Sequence, residues 1–374
     1  MKSSPVSSLA LLLSVGSGSI AALIVTLIVV QPQLNRVHAR LDELGQATTT
    51  PLLPPVVPIE VVPLESRPLL PAYPKAFTDR RLSQVLSVIR RSRTEIPFVA
   101  EDRILGSAVS LTSDGWLATS KRAVENLRLN DLAVAWNGKT YQVSRAIRDT
   151  STDIVYLKIN VTNLPVTNFT RASDVQNGTA VWTESRSGQL RADLIIDDAM
   201  MSISEPIASE KAARRFVLQG NTALLSGSAV WDGGGKLIGI TDESKPNGTS
   251  VIPMEDAGTT LAQLIGTGEI RRPLLGVRGI DLAHVTLDTA SSTLPSLGTW
   301  VRSVAPGTPA YRNLIENDVI ERVERDILDG TADLGETLHD YRSGATVTFY
   351  GTRNGEAFQA SITLGSQNTA EAIK

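Results

Sequence analysis

Cysteine is absent from the 374 residues. That excludes disulfides, thiolate metal sites and a cysteine nucleophile, though not either side of a membrane as the compartment. Histidine is nearly absent: only His38, His284 and His339 occur, so any imidazole-based acid–base chemistry must draw on these. No clustered His/Asp/Glu spacing of the metal-binding kind is present, and neither a metal nor another cofactor is expected. Positive charge is not in excess, the formal net charge being -3. A nucleic-acid partner, which needs a basic stripe, is therefore not expected. Disorder is also disfavoured: 42% apolar against 20% charged residues is the balance of packed domains, and the length suits two of them plus extensions.

One uncharged run is long and apolar enough to matter for a membrane. Residues 9–30, "LALLLSVGSGSIAALIVTLIVV", carry no charge. At about 1.5 Å per residue they span about 33 Å as a helix, close to the roughly 30 Å hydrocarbon core of a bilayer. A cleaved signal would have a shorter apolar stretch followed directly by small residues. Here "QPQLNR" follows, which predicts an uncleaved anchor preceded by a short cytoplasmic stretch at 1–8. Lys2 on one side and Arg36 and Arg40 on the other nearly balance, so flanking charge does not orient the anchor. A juxtamembrane segment, 31–50, contains the short helical pattern "RVHARLDELG". Residues 51–76 are proline-rich, which predicts an extended polyproline spacer; a ligand for an SH3-like domain is the other use of such a sequence.

From residue 77 the pattern is of short alternating strands. "LGSAVSLTSDGWLATS" turns at Ser-Asp-Gly, and "DLAVAWNGKTYQVSRAI" is a hairpin with Asn137-Gly138 as its turn. Many short strands with glycine turns predict a mostly β barrel or sandwich over 77–268. It closes with a helix, "MEDAGTTLAQLIGTG", whose apolar face carries Leu261, Leu264 and Ile265 and whose stop is Gly266 or Gly268. A second β-rich module follows over 269–366, with a helix near "LGETLHDYRSG" that carries His339, read as an exposed helix residue. The residues after it, 367–374, read as a polar tail.

This succession resembles the HtrA (DegP/DegS-type) family of trypsin-like serine proteases with a C-terminal PDZ domain. The segments that carry the resemblance are "GSAVSLTSDGWLATSKRAVEN", "TDIVYLKI", "NLPVTNFTRASDVQNGTAVWTES", "LLSGSAVWDGGGKLIGI" and "SVIPMEDAGTTLAQLIGTGEIRRPLLGV", in the family's order. The resemblance implies a membrane anchor, a trypsin-like double β-barrel and a PDZ domain, with the bulk of the chain in the bacterial periplasm or at the cell surface. It puts Ser226 at the nucleophile position, Asp153 at the triad aspartate and Arg122 at the triad histidine. It also implies a homotrimer built on aromatics near the barrel's start, for which Tyr73 and Phe77 are the candidates; a monomer stays open.

Arg122 breaks the catalytic pattern. A serine hydroxyl needs a neighbouring base with a pKa near working pH. A guanidinium stays protonated; it can pair with Asp153 but cannot take the proton. Lys121, the other cation nearby, should point elsewhere than its neighbour. The oxyanion-hole position, formed in the family by N–H groups of the serine and of a glycine two before it, falls on Ser226 and Leu224. Leu224 and Leu225 lack the conformational freedom of glycine, which misdirects those groups. The stretch from Gln219 to Ser226 is also shorter than the family pattern. In the second module, Leu274, Leu275, Gly276 and Val277 match the family's carboxylate-binding loop. The resemblance implies that their backbone N–H groups take a peptide's terminal carboxylate, with Arg271 and Arg272 nearby to favour acidic ends.

The expected function is that of a membrane-anchored pseudoprotease that binds peptides or unfolded protein C-termini in envelope quality control. Two alternatives stand beside it: an active endopeptidase with a non-histidine base, and a structural envelope assembly protein. A PDZ groove blocked by its own chain would favour the last.

Overall fold

A computed structural model of the chain describes residues 74–374 except 79–82, 92–98, 172–173, 186–189, 201–204, 221–223 and 288–293. The expected anchor, the juxtamembrane helix, Tyr73 and nearly all of the proline-rich spacer lie outside the described residues. No described helix is long and apolar enough to cross a membrane.

A short helix, α1 (Lys75–Thr78), precedes the first barrel. That barrel comprises β1 (Val85–Arg90), β2 (Ile104–Ser110), β3 (Trp116–Ser120), β4 (Leu132–Trp136), β5 (Lys139–Asp149) and β6 (Ile154–Ile159). Antiparallel pairing runs β1–β2–β3–β6–β5–β4 and returns to β1. The β4–β5 turn is where the Asn-Gly signal put it, with Asn137 and Gly138 both at positive φ. Leu86, Val88, Leu117, Val134, Val155 and Leu157 fill the interior.

The second unit contains β7 (Ala180–Glu184), β8 (Leu190–Met200), β9 (Ile207–Ala208), β10 (Arg215–Leu218), β11 (Ala229–Trp231), β12 (Leu237–Lys245) and β13 (Gly248–Pro253). All but β9 close a second barrel around Val181, Ile195, Phe216, Val230 and Val251. A third apolar core lies in the seam between the barrels and includes Trp116, Tyr156, Trp231, Ile240 and Met254. Phe77 belongs to it: the ring is only 6% exposed and sits 6.2 Å from Trp182 and 6.4 Å from Trp231 between centroids. The expectation that Phe77 serves an oligomer contact is thereby corrected, because the ring is spent inside its own subunit.

Helix α2 (Ala257–Thr267) buries Leu261 and Leu264 against the seam and ends at Gly268, φ +75°. Ile265, read as part of the same face, is 54% exposed. Beyond it come β14 (Arg271–Leu274), β15 (Val277–Asp281), β16 (Thr299–Val304), β17 (Val319–Val323), β18 (Asp326–Ile327), α3 (Leu334–His339), β19 (Thr346–Arg353), β20 (Glu356–Thr363), β21 (Gly365–Asn368) and β22 (Ala370–Ala372). The C-terminal module is a sheet ordered β20-β19-β17-β16-β15, with α3 against a core of Leu275, Val301, Ile320, Leu338 and Phe349. Strand β9 leaves the second barrel's loop and becomes this sheet's edge beside β15.

The expected polar tail is corrected as well. β21 pairs with β14, and β22 pairs with β5 of the first barrel. Ile373 packs on the first barrel's core and donates its N–H to Ala146 O (2.9 Å). Both chain connections of the module thus run along the barrel, and one buried carboxylate joins them. Asp149, fully buried, accepts from Arg272 Nη2 (2.8 Å), Thr369 Oγ1 (2.7 Å), Ser151 N (3.0 Å) and Thr152 Oγ1 (3.2 Å). Breaking a buried pair by removing one partner leaves the other charge uncompensated, at about 3–5 kcal/mol. Asp149→Ala should therefore lower stability by about that amount in denaturant melts. The paired replacement Asp149→Leu with Arg272→Met should recover most of the loss, because it buries no lone charge.

Candidate functional site

Three chain segments meet at the seam. The first is a 3-10 turn after β3, Lys121–Val124. The second is the β5–β6 loop, which carries Asp153. The third is the turn before β11, which carries Ser226. Gly227 makes this last turn possible: its φ is +79°, and a Cβ there would lie 2.0 Å from Ser107 O. Ser107 N donates to Ser226 O (2.8 Å), Gly227 N to Thr241 O (2.6 Å), and Ser228 N and Thr241 Oγ1 to Leu225 O (3.1 and 2.7 Å). Leu224 packs its side chain on the second barrel's core. The stretch that leads into the turn, 221–223, lies outside the described residues.

Ser226 and Arg122 converge on one stretch of β12, where its register with β13 is irregular. The Ser226 hydroxyl donates to the main-chain oxygen of Asp242 (2.9 Å). Arg122 lies 3.9 Å from the Asp242 carboxylate and 3.0 Å from that of Glu243. Asp153 stands apart from both, and the expected Arg122–Asp153 pairing is corrected. Asp153 takes hydrogen bonds from Arg148 Nε (3.1 Å) and Nη2 and faces Lys211 Nζ at 3.8 Å. Its backbone is left-handed, φ +65°, a conformation aspartate tolerates better than most residues. Burial works to raise its carboxyl, but the Arg148 hydrogen bond and the charges of Lys211, Arg148 and Arg215 outweigh it and hold the group below the usual range. Asp242 goes the other way: burial raises it against the opposing charges of Arg215 and Arg122. Lys121 points away, pairing with Glu125 at 3.7 Å, and donates its N–H to Asp153 O.

None of the described basic side chains accepts the Ser226 proton. His284 Nε2 is 3.2 Å from Gly330 O, and His339 Nε2 is 3.1 Å from Ser151 Oγ. His38 lies outside the described residues. The reading of His339 as an exposed helix residue is corrected: it is partly buried, and its Nδ1 has no hydrogen-bond partner. Ser151 gives its own proton to Glu210 O (2.6 Å). Nε2 must then be the protonated nitrogen of His339, leaving Nδ1 bare.

The loop 274–277 presents backbone, not side chains. Leu275 and Val277 are buried in the module's core, and Leu274 pairs with Gly365 in the β14–β21 ladder. Gly276, φ +88°, has no room for a Cβ beside Thr308. The turn aims three N–H groups at the segment that follows β9. Leu275 N and Gly276 N donate to Glu210 Oε1 (3.2 and 2.7 Å), and Val277 N donates to Ser209 Oγ (3.1 Å). Arg271 pairs with Glu269 and Arg272 with Asp149, so neither faces this loop.

Sequence reasoning missed Asp242 and Glu243, which take Arg122, and Ser209 and Glu210, which reach the loop. No spacing signal connects these residues; only the chain's return brings them together.

Two six-stranded barrels with their loops converging at a shared seam define a trypsin-like double-barrel protein. No family model matches the sequence. A probable periplasmic DegP-like serine endoprotease of Halomonas elongata is 25% identical over 276 residues, covering 71% of this chain and 57% of its own length. The serine endoprotease DegS of Salmonella typhimurium is 24% identical over 329 residues, covering 84% of this chain and 92% of its own. In fold, the HtrA-type protease AlgW with decapeptide is similar at a TM-score of 0.57 and 19% identity, over 78% of this chain and 98% of that one. The chain spans about three fifths of the length of several curated relatives that it matches. In sequence and in fold, this chain is a relative of the HtrA, DegP and DegS serine proteases.

Burial, together with the nearby Arg272 charge, pushes His339 down to about 4. The unfolded chain, with an ordinary histidine near 6.5, then binds the proton more readily. The stability tied to neutral His339 is complete above about pH 6.5 and is lost as pH falls towards 4. Melts of wild type and His339→Gln at pH 7 and 4.5 should differ accordingly. Wild type should lose on the order of 2 kcal/mol more than the variant on acidification.

Proposed function

We propose that this chain is a non-catalytic HtrA-like protein, anchored by its N-terminal apolar stretch with its barrels on the extracytoplasmic side. In this reading residues 269–366 form a PDZ-type module that holds peptide or unfolded-protein chain ends. One observation carries the non-catalytic reading: the side chain at the histidine position, Arg122, is paired with Asp242 and Glu243, while Asp153 is paired with Arg148 and Lys211. A permanent cation cannot serve as the base, and the carboxylate that would orient a base is engaged elsewhere. The Ser226 proton is held by a main-chain oxygen, which is no base either. The relatives named above are serine endoproteases, and their activity belongs to them.

The binding reading is supported by the loop 274–277, whose N–H groups converge on a carboxylate. A second reading, an assembly protein that holds no outside ligand, is favoured by the fact that this carboxylate belongs to the chain itself.

The test of the first part is a fluorophosphonate probe and an unfolded substrate, applied to the full chain. Wild type and Ser226→Ala should give the same background labelling and cleavage. Arg122→His alone should not raise either, because Asp153 remains paired with Arg148. Cleavage that depends on Ser226 in the wild-type chain would overturn the reading.

A further inference from the structure

The segment Glu205–Lys211 lies where a ligand of the C-terminal sheet would lie. Strand β9 runs antiparallel to β15, with Ile207 opposite Gly279 and Ala208 opposite Arg278. Ser209 N continues the ladder by donating to Val277 O (2.8 Å). The chain therefore approaches the loop 274–277 in the direction a peptide's C-terminus would take when it adds a strand to this edge. At that point a free peptide would end in a carboxylate. Here Glu210 supplies one from its side chain, and Ser209 Oγ, which also donates to it (2.7 Å), takes the remaining N–H. Three consecutive N–H groups of the loop are thus engaged.

The segment is held from the other side too. Asp333, at the N-cap of α3, accepts from Ala213 N (2.5 Å) and Arg214 N (2.9 Å). Arg214 pairs with Glu336 on the same helix (2.5 Å), and Gly335 has no Cβ because Lys211 O would lie 2.0 Å from it. Ser151 clasps Glu210 O from the first barrel. A glutamate, a small hydroxyl residue and a glycine on the facing helix are each needed for this close fit, which makes a chance loop contact a poor account of it.

We propose that Glu205–Lys211 is a built-in ligand that closes the groove between β15 and α3, with the Glu210 carboxylate standing in for a chain terminus. The outside partner that fits the groove is a peptide with a free terminal carboxylate and small last side chains, and it binds only when this segment withdraws. The inference rests on the peptide-binding reading of the module given above. Apparent affinity for such a peptide is reduced by the fraction of molecules whose groove is open.

The experiment uses the full chain and a fluorescein-labelled peptide, Glu-Pro-Ile-Ala-Ser, as free acid and as amide. Glu210→Ala removes the stand-in carboxylate. It should bind the free acid at least about tenfold more tightly than wild type, and the amide should bind neither. Amide hydrogen exchange at Leu275 and Gly276 should quicken in Glu210→Ala. If a folded Glu210→Ala protects these amides as wild type does, the built-in ligand is refuted whatever the peptide does. If the amides are deprotected and no free-acid peptide binds, the peptide-binding reading fails instead and takes the outside partner with it. Should Glu210→Ala not fold, a cysteine pair at Ala208 and Arg278 in this cysteine-free chain provides a lock. The oxidised form should bind the free acid at least tenfold more weakly than the reduced form, and equal binding would overturn the proposal.

Discussion

The arrangement depends on one carboxylate that never meets water. Asp149 ends the longest strand of the first barrel and binds Arg272, Thr369 and its own loop. Arg272 lies on the chain's way out to the C-terminal module and Thr369 on its way back. A buried charge of this kind is a weak source of net stability but a strong source of geometry, because any arrangement that separates the partners strands a charge in the interior. Its loop also places Ser151 against Glu210 and His339, and Asp153 against Arg148 and Lys211. Asp149 and its loop thus touch both chain connections of the C-terminal module and the segment that follows β9.

At the seam, the charges do not stand in the line that a serine-hydrolase site uses. Such a site needs a carboxylate, a titratable base and a hydroxyl in line. Here the carboxylate has its own arginine and lysine, and the position of the base carries a cation with acidic partners on β12. Each of these charges has an opposite charge close by, and among the described residues no hydrogen bond links the Asp153 and Ser226 side chains. The double-barrel fold rests on the barrel cores and on Gly227, none of which depends on these charges.

The C-terminal sheet follows a related logic. An exposed edge strand offers unpaired N–H and C=O groups, a standing invitation to other strands. β9 covers part of that edge, and Ser209 and Glu210 satisfy the loop at its end.

Much of the fold was legible in the sequence. Alternating apolar residues marked the strands, Asn137-Gly138 marked a hairpin, and Gly266 or Gly268 marked the end of α2, because backbone dihedrals and side-chain alternation are local properties. Arg122 could likewise be read as the loss of a base from its chemistry alone. Its partners could not: Asp242 and Glu243 are far off along the chain, on the second barrel, and reach it only where the two barrels pack together. The tail read as polar and unattached because its few apolar residues show no period, yet pairing with β5 gives them a place. Phe77 read as an outward aromatic because nothing nearby in sequence reveals the seam between the barrels. Local chemistry thus determined the elements and the permanent cation at position 122. Only the tertiary structure decided which charges pair and which strand covers the edge of the C-terminal sheet, because those contacts join segments with no local signal for each other.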